Sequence, residues 1–312
     1  MKIVVLDAKT VGEDADWSGF EKLGEVVRYP YSATEEVPGR VKDAEIIIVN
    51  KVLINEQTVG QAKNLKMVCA LATGTNNLDK EYLESRGIIW HNVAGYSTEA
   101  VAQHTFAMLF YLLEKLRYYD DYVKEGDYAK SPLFTNFANG FAELNGKTWG
   151  IIGLGTIGRR VAEIAKVFGL HVIYYSASGA APQAGFEQVD FDTLLADSDI
   201  VSVHAPLNKY TENLMDKAAF AKMKKSAIFI NVGRGPIVVE QDLYEALRDE
   251  EIAAAGLDVL CKEPVAEDNP LLQIKDSRKL LITPHIAWAS VEARNRLVQM
   301  VLEQVQEYVK TR

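Results

Sequence analysis

The sequence reads as an α/β protein built of two doubly wound domains, each around a mostly parallel sheet. Short Val/Ile-rich segments alternate twice along the chain with longer helical patterns, the order produced by successive strand–helix–strand units. Those segments are almost continuously apolar instead of alternating, as expected where helices cover both faces of a sheet. With 312 residues, 48% of them hydrophobic, the chain can fill two cores of ordinary size.

Strands of the first domain are expected in "MKIVVLDA", "EVVRYP", "EIIIVN", "LKMVCALATG" and "GIIWHNV". Ser97 then suits a helix N-cap, and "TEAVAQHTFAMLFYLLEKLRYYDDYVK" holds neither Gly nor Pro. One long helix to about Lys124, crossing between the domains, is therefore predicted. The 124–147 segment is irregular and rich in Tyr and Phe, and it reads either as a dimer arm or as a crossover loop packed on its own chain. Strands of the second domain are expected in "TWGIIGLG", "HVIYYSAS", "DIVSVHAP", "AIFINVGRG", "AAAGLDVL" and "LLITPHI". A last helix begins near Ser290, with Leu297, Val301, Val305 and Tyr308 as one apolar stripe. Coming after the final strand of the second domain, it is expected to return to the first. The first domain would then comprise residues 1–98 with 287–312, around a second domain of 99–286.

The net charge of −9, the pI near 5.2 and the lack of any Lys/Arg run argue against a nucleic-acid partner, since phosphate-backbone binding requires clustered cations. Cys69 and Cys261 are too few for a disulfide framework and read as buried thiols of a reducing compartment. The opening apolar run is of strand length and leads to an acidic residue, unlike a signal peptide, and the run at 106–113 is far short of a bilayer span. A soluble cytoplasmic protein is expected, away from membranes, and no residue is assigned to a metal.

Gly153, Gly155 and Gly158 form a G-x-G-x-x-G between the strand "TWGII" and the helical pattern "RRVAEIAKVFG", with Thr156 and Ile157 at the intervening positions. In that context Gly153 makes the tight turn, Gly155 lets a pyrophosphate approach the backbone, and Gly158 lets the helix pack on its strand. The pyrophosphate would sit on the free N–H groups and positive dipole end of the helix. Dinucleotide binding is the expectation; a merely structural glycine turn is the alternative.

Ligands of an open parallel sheet bind beyond the carboxyl ends of its strands. Arg234 follows "AIFINVG", Asp258 and Glu263 follow "AAAGL", and His285 follows "LLITP". These residue types together point to hydride chemistry on a carbonyl. His285 would donate a proton to the oxygen as hydride reaches the carbon. Glu263 would hold its ring in one tautomer and favour the protonated form. Arg234 offers a guanidinium fork to a carboxylate or a polarised carbonyl. A structural ion pair, a loop carboxylate and a strand-end hydrogen bonder are the alternatives taken singly, but three such residues at the strand ends of one sheet favour the joint reading. His91 and His104 read as structural and His171 as solvated. His204 in "DIVSVHAP" is the rival acid, on a loop better placed to line a cofactor. Lys51, ending "EIIIVN", would help attract an acid, with a solvated loop lysine as the alternative.

"GIIGLGTIGRR", "HAPLNKYTENL", "FINVGRGPIVVEQDL", "AAAGLDVLCKEP" and "LLITPHIAWAS" together resemble the D-isomer-specific 2-hydroxyacid dehydrogenases in order and spacing. The resemblance implies a Rossmann nucleotide domain inserted into a flavodoxin-like substrate domain, a homodimer, and the triad Arg234, Glu263 and His285. It further implies that Val232 meets the nicotinamide amide through its carbonyl and Asp258 its other side. His204, Ala205, Pro206 and Thr211 would flank the adenosine half, and Thr73 and Gly74 would hold the substrate carboxylate by backbone N–H groups. "TGTNN", "NVAGYSTEAVAQHT" and "TPHIAWASVEAR" look most like bacterial glycerate dehydrogenases, the hydroxypyruvate or glyoxylate reductases, with Tyr96 and Trp288 at the substrate. D-lactate or branched 2-keto acids are the alternative substrates. A Glu in place of glutamine at 263 argues against the formate dehydrogenases, and the chain is shorter than phosphoglycerate dehydrogenases. The family also includes NADH-sensing corepressors, a second class of function for which the sequence offers little. By register, Ser176 takes the position of the Asp that binds ribose hydroxyls, and no Arg or Lys follows in "SASGAAPQ". Arg159 and Arg160 are the nearby cations, with solvation on the helix surface as their alternative. Either NAD(H) or NADP(H) is therefore expected to be accepted.

Overall fold

The computed structural model describes residues 1–179 and 183–311; residues 180–182, inside "SASGAAPQ", lie outside the described residues. The chain divides into two units, Met1–Ser97 with Trp288–Arg312, and Thr98–Ala287.

In the first unit, β1 (Lys2–Val5), β2 (Glu25–Arg28), β3 (Ile46–Val49), β4 (Met67–Ala70) and β5 (Ile89–His91) form a parallel sheet of order β2-β1-β3-β4-β5. The central strands β3 and β4 are buried along their whole length, as their unbroken apolar sequence requires. The helix Val291–Lys310 packs on β4. Ser290 caps it by accepting the Ala293 N–H at 3.2 Å, leaving one fewer orphan donor at the first turn. Leu297, Val301 and Val305 are buried, and Tyr308 at the end of the stripe is half-buried, its hydroxyl donating to Glu45 at 3.4 Å.

The second unit holds β6 (Thr148–Ile152), β7 (His171–Tyr175), β8 (Glu187–Gln188), β9 (Ile200–Val203), β10 (Ile228–Asn231), β11 (Ala254–Leu257) and β12 (Leu280–Ile282). Among the described residues they form a parallel sheet of order β12-β11-β10-β9-β6-β7-β8. The strand order reverses between β6 and β9, which opens a crevice at their carboxyl ends. β8 was not anticipated: two polar residues at the edge of a sheet carry neither the length nor the apolar run that marks a strand.

The long helix predicted after Ser97 is broken. Thr98–Leu113 is one helix and Leu116–Lys124 another, with Lys115 between them at φ 53°, ψ 39°, in the left-handed region. No Gly marks the break, so local sequence gave no warning of it. Burial supplies the reason. The first helix packs on β10, β11 and β12, with Met108 and Leu112 against Gly256, whereas the second buries no residue. A straight continuation would leave the surface to which the first helix is held.

In the 124–147 segment a single turn, Asp127–Lys130, precedes irregular chain held by the Tyr119 hydroxyl donating to the Asn139 carbonyl at 2.6 Å. Tyr119, Tyr122, Tyr128 and Phe137 line a cavity of about 570 Å³ here. Phe134 and Phe137 are 90% and 84% exposed. Among the described residues, no helix is long and apolar enough to cross a membrane, and no group of His, Cys, Asp or Glu is arranged to hold a metal ion.

Candidate active site

The glycine turn lies at the carboxyl end of β6, beside the reversal in strand order. Gly153 has φ +92°, and a Cβ there would fall 2.8 Å from the Cα of Ala205, so only glycine lets the turn and the loop after β9 touch. A Cβ on Gly158 would lie 2.2 Å from the Gly153 carbonyl oxygen, so helix and turn pack backbone to backbone. At Gly155 the space beyond a Cβ is open. This residue is the N-cap of the helix Thr156–Val167, and no side chain caps that end. Thr156 is exposed and Ile157 half-buried in its first turn. A turn with open space over Gly155 and uncapped helix N–H groups fits the pyrophosphate of a dinucleotide.

His204 follows β9, and its Nδ1 is buried with no hydrogen-bond partner among the described residues. Its Nε2 lies 3.0 Å from the Ser202 hydroxyl, which already accepts the Trp149 indole N–H at 2.8 Å. Which of Ser202 and Nε2 donates follows the ring tautomer, and with either tautomer it is Nδ1 that is left over. Burial pushes the pKa of His204 down to about 3, so the ring is neutral at physiological pH and is no reservoir of acid. Ala205 is buried and Pro206 exposed. Thr211 is spent inside this loop, its hydroxyl donating to the Pro206 carbonyl at 2.7 Å and accepting the Asn208 N–H at 2.9 Å.

Arg234, Glu263 and His285 arise from the neighbouring strands β10, β11 and β12, each past a carboxyl end. His285 Nδ1 and Glu263 Oε2 are 2.7 Å apart, and the other Glu263 oxygen accepts the Leu260 N–H at 3.0 Å. Arg234 is brought to the same loop by Gly235, where a Cβ would lie 2.0 Å from the Leu260 carbonyl carbon and oxygen. The Arg234 guanidinium donates to the Gly233 carbonyl at 2.7 Å and, among the described residues, has no carboxylate partner. Asn231 clamps the turn below it, accepting the Gly233 N–H at 3.0 Å and donating to the Arg234 carbonyl at 2.9 Å. The intervening Val232 is buried.

Asp258, 1% exposed, organises the histidine loop. One carboxylate oxygen accepts the Thr283 hydroxyl at 2.6 Å and the Ile286 N–H at 2.8 Å; the other accepts the Ala287 N–H at 2.8 Å. The Asp258 carbonyl accepts the His285 N–H at 2.8 Å, where His285 sits at φ 56°. A non-glycine residue there costs on the order of 1–3 kcal/mol and persists because this network over-determines it.

Sequence reasoning missed several supports. His104 lies 3.1 Å from the Thr283 hydroxyl and 3.6 Å from Asp258, on the same network, which its place in an apolar helix concealed. Glu240 accepts the Cys261 N–H and the Asn269 side-chain amide, both at 2.8 Å, and so anchors the loop that carries Glu263. Its only sequence signal was adjacency to the "NVGRGPIVV" stretch. Cys261 is exposed on that loop past β11 and is not the buried thiol expected, whereas Cys69 within β4 is buried. Of the other histidines, His91 is exposed at the end of β5 and not a packed structural residue, and His171 is exposed beside Glu187 at 3.2 Å.

In the first unit, Asp7 accepts the backbone N–H groups of Asn50 at 2.8 Å, Lys51 at 2.7 Å and Val52 at 3.3 Å, and so shapes the turn that bears Lys51. Burial pushes its carboxyl upward, opposed by those three donors. The Thr73 hydroxyl donates to the Val93 carbonyl at 2.8 Å, and the Thr73 carbonyl accepts the Asn92 amide at 2.6 Å. Gly74 follows, half-buried. Tyr96 and Trp288 meet edge to face with ring centroids 6.2 Å apart.

A doubly wound sheet with a phosphate-binding glycine turn at its switch point and a histidine–carboxylate pair nearby defines the class of dinucleotide-dependent dehydrogenases. Comparison with known proteins narrows the class. Residues 106–287 match the family described as D-isomer specific 2-hydroxyacid dehydrogenase, NAD binding domain. Hydroxypyruvate reductase of Blautia hydrogenotrophica is 38% identical over 99% of this chain and 97% of its own. Glycerate dehydrogenase of Methylorubrum extorquens is 36% identical over 99% and 96%. Among solved structures, an acyclic imino acid reductase in complex with NADPH and D-Arg superposes with a TM-score of 0.88 at 31% identity, covering 100% of this chain and 98% of that one. The chain belongs to the D-isomer-specific 2-hydroxyacid dehydrogenase family.

Proposed function

We propose that this protein reduces a small 2-keto acid, hydroxypyruvate or glyoxylate, to the D-2-hydroxy acid with NAD(H) or NADP(H), reversibly. The observation that carries the reading is the His285–Glu263 pair at 2.7 Å on the loop against which Arg234 is packed. The names of the two full-length relatives support the substrate. When bound, the nicotinamide supplies the hydride that reaches the keto carbon.

The protein's part is charge and proton management. Glu263 accepts from His285 Nδ1, which leaves Nε2 as the nitrogen that gives its proton to the keto oxygen. In the reverse direction Nε2 takes the hydroxyl proton. Arg234, which among the described residues has no carboxylate partner, has its fork available to polarise the carbonyl and bind the adjoining carboxylate. Thr73 and Gly74 are assigned to that carboxylate: among the described residues, their N–H groups donate to no acceptor of the chain. Lys51 is assigned to attracting the acid, and Tyr96 and Trp288 to enclosing it. The Val232 carbonyl and Asp258 are assigned to the nicotinamide amide. The leftover Nδ1 of His204, with Ala205, Pro206 and Thr211, is assigned to the adenosine half.

A homodimer of the cytoplasm is part of the same proposal. The exposed rings Phe134 and Phe137 supply an apolar face, and the buried thiol of Cys69 suits a reducing compartment. Light scattering on the purified protein reads the oligomeric state directly.

The deciding experiment follows NADH and NADPH absorbance with a panel of 2-keto acids. Hydroxypyruvate or glyoxylate should have the highest kcat/KM; a preference for pyruvate or branched acids would move the substrate, and no oxidation of either cofactor would refute the enzyme. His285→Ala should lower kcat by about 10²–10⁴, the usual share of a general acid, with cofactor still bound. Loss of cofactor binding would make His285 structural instead.

A further inference from the structure

The end of β7 lacks the carboxylate that binds ribose hydroxyls, and a cation reaches the segment that follows it. The Gly153 N–H donates to the Tyr175 carbonyl at 3.0 Å, so Ser176 lies one residue from the contact between β7 and the glycine turn. Its hydroxyl is 3.3 Å from that of Ser178. Arg159, whose N–H donates to the Gly155 carbonyl at 2.8 Å, extends its guanidinium from the first turn of the helix to the side-chain oxygen of Gln183. Gln183 is tied to the same place twice: its side-chain amide donates to the Leu154 carbonyl at 2.8 Å, and its backbone N–H to the Tyr174 hydroxyl at 2.8 Å. The ring of Phe186 lies 5.3 Å from the Arg159 guanidinium and orients it from a second side.

The two neighbouring arginines have different fates. Arg160 is neutralised by Glu99 at 3.0 Å and Glu163 at 3.5 Å. Among the described residues, Arg159 has no carboxylate and is held by a neutral amide. In a chain of net charge −9, a half-buried guanidinium that among the described residues has no counter-ion, held on the segment that follows the two serines, is suited to an anion that arrives with a ligand. The dianion that a bound dinucleotide brings to the end of this strand is the phosphate on the 2′-oxygen of its adenosine ribose.

We infer that Arg159, with the Ser176 and Ser178 hydroxyls, recognises the 2′-phosphate of NADP(H), and that this chain prefers NADP(H) to NAD(H). The inference rests on the dinucleotide-dependent reading above and sharpens its cofactor. The phosphate replaces the Gln183 oxygen on Arg159 and receives the two serine hydroxyls, so the site exchanges one neutral acceptor for a charged one.

Binding of mononucleotide probes tests this without turnover. Adenosine 2′,5′-bisphosphate should bind the intact protein about ten- to a hundredfold more tightly than adenosine 5′-monophosphate, the worth of a hydrogen bond to a charged group. Arg159→Gln should bring that ratio near one, and Arg159→Lys should keep part of it. Ser176→Asp should invert it, and in turnover should shift kcat/KM toward NADH. Thermal unfolding checks that each variant folds, and the three variants need not fail together. A ratio near one in the unaltered protein, or one that survives Arg159→Gln, overturns the inference. Failure of both mononucleotides and of both nicotinamide dinucleotides to bind would instead overturn the reading on which it rests.

Discussion

Gly235→Ala is the sharpest test of how Arg234 and Glu263 are held together. An alanine Cβ there would sit 2.0 Å from the carbonyl carbon and oxygen of Leu260 and 2.4 Å from the Cys261 nitrogen. All three are backbone atoms, so no side chain can rotate away. Ordinary contact needs roughly 1 Å or more of separation between the turn bearing Arg234 and the loop bearing Glu263, with the overpacking itself costing about 1–3 kcal/mol. A displacement of about 1 Å between reacting groups is worth around a hundredfold in rate. The Gly235→Ala variant should therefore lose around a hundredfold in kcat/KM for the preferred keto acid. Because Gly153, Gly155 and Gly158 lie on other segments, titration of cofactor by fluorescence should still saturate. Activity within about threefold of the parent, in a variant that unfolds at the same temperature, would refute the packing argument.

Two further predictions concern stability. Burial holds His204 at a pKa of about 3, below its ordinary 6.5, so the unfolded chain takes up the proton first as pH falls. The stability that this depressed pKa represents is complete above pH 6.5 and lost progressively toward pH 3, up to roughly 5 kcal/mol, and His204→Gln should flatten that part of a denaturation-against-pH curve. Parallel curves for the two proteins would exclude His204 as the group responsible. Glu240→Ala removes the acceptor of the Cys261 N–H and of the Asn269 amide and should cost about 3 kcal/mol, with faster hydrogen exchange at Cys261. Unchanged exchange there would show that the loop is held by other contacts.

The folding pattern was legible where its signal is local. Unbroken apolar runs marked the central strands, and the glycine spacing marked the turn that follows β6, because each depends on residues a few positions apart. The rule that ligands bind past strand ends was enough to single out Arg234, Glu263 and His285. The helix break at Lys115 and the edge strand β8 were not legible, since one follows from where the buried surface ends and the other from a neighbour's hydrogen bonds. His104 carried no sign in its apolar helix that it would meet Thr283, 179 residues away.

What the sequence determined by itself is therefore the inventory: two parallel-sheet units, a glycine turn suited to a phosphate, and a histidine, a carboxylate and a cation at three strand ends. Tertiary structure alone decided which of these touch. It ties Asp258 to the His285 loop, stations Glu240 behind Glu263, and leaves Arg160 neutralised while Arg159 next to it rests on an amide. Such pairings join residues far apart in the chain, and their distances depend on how helices and loops pack over the sheet. Periodicity and spacing record only which face a residue takes, and not what it meets there.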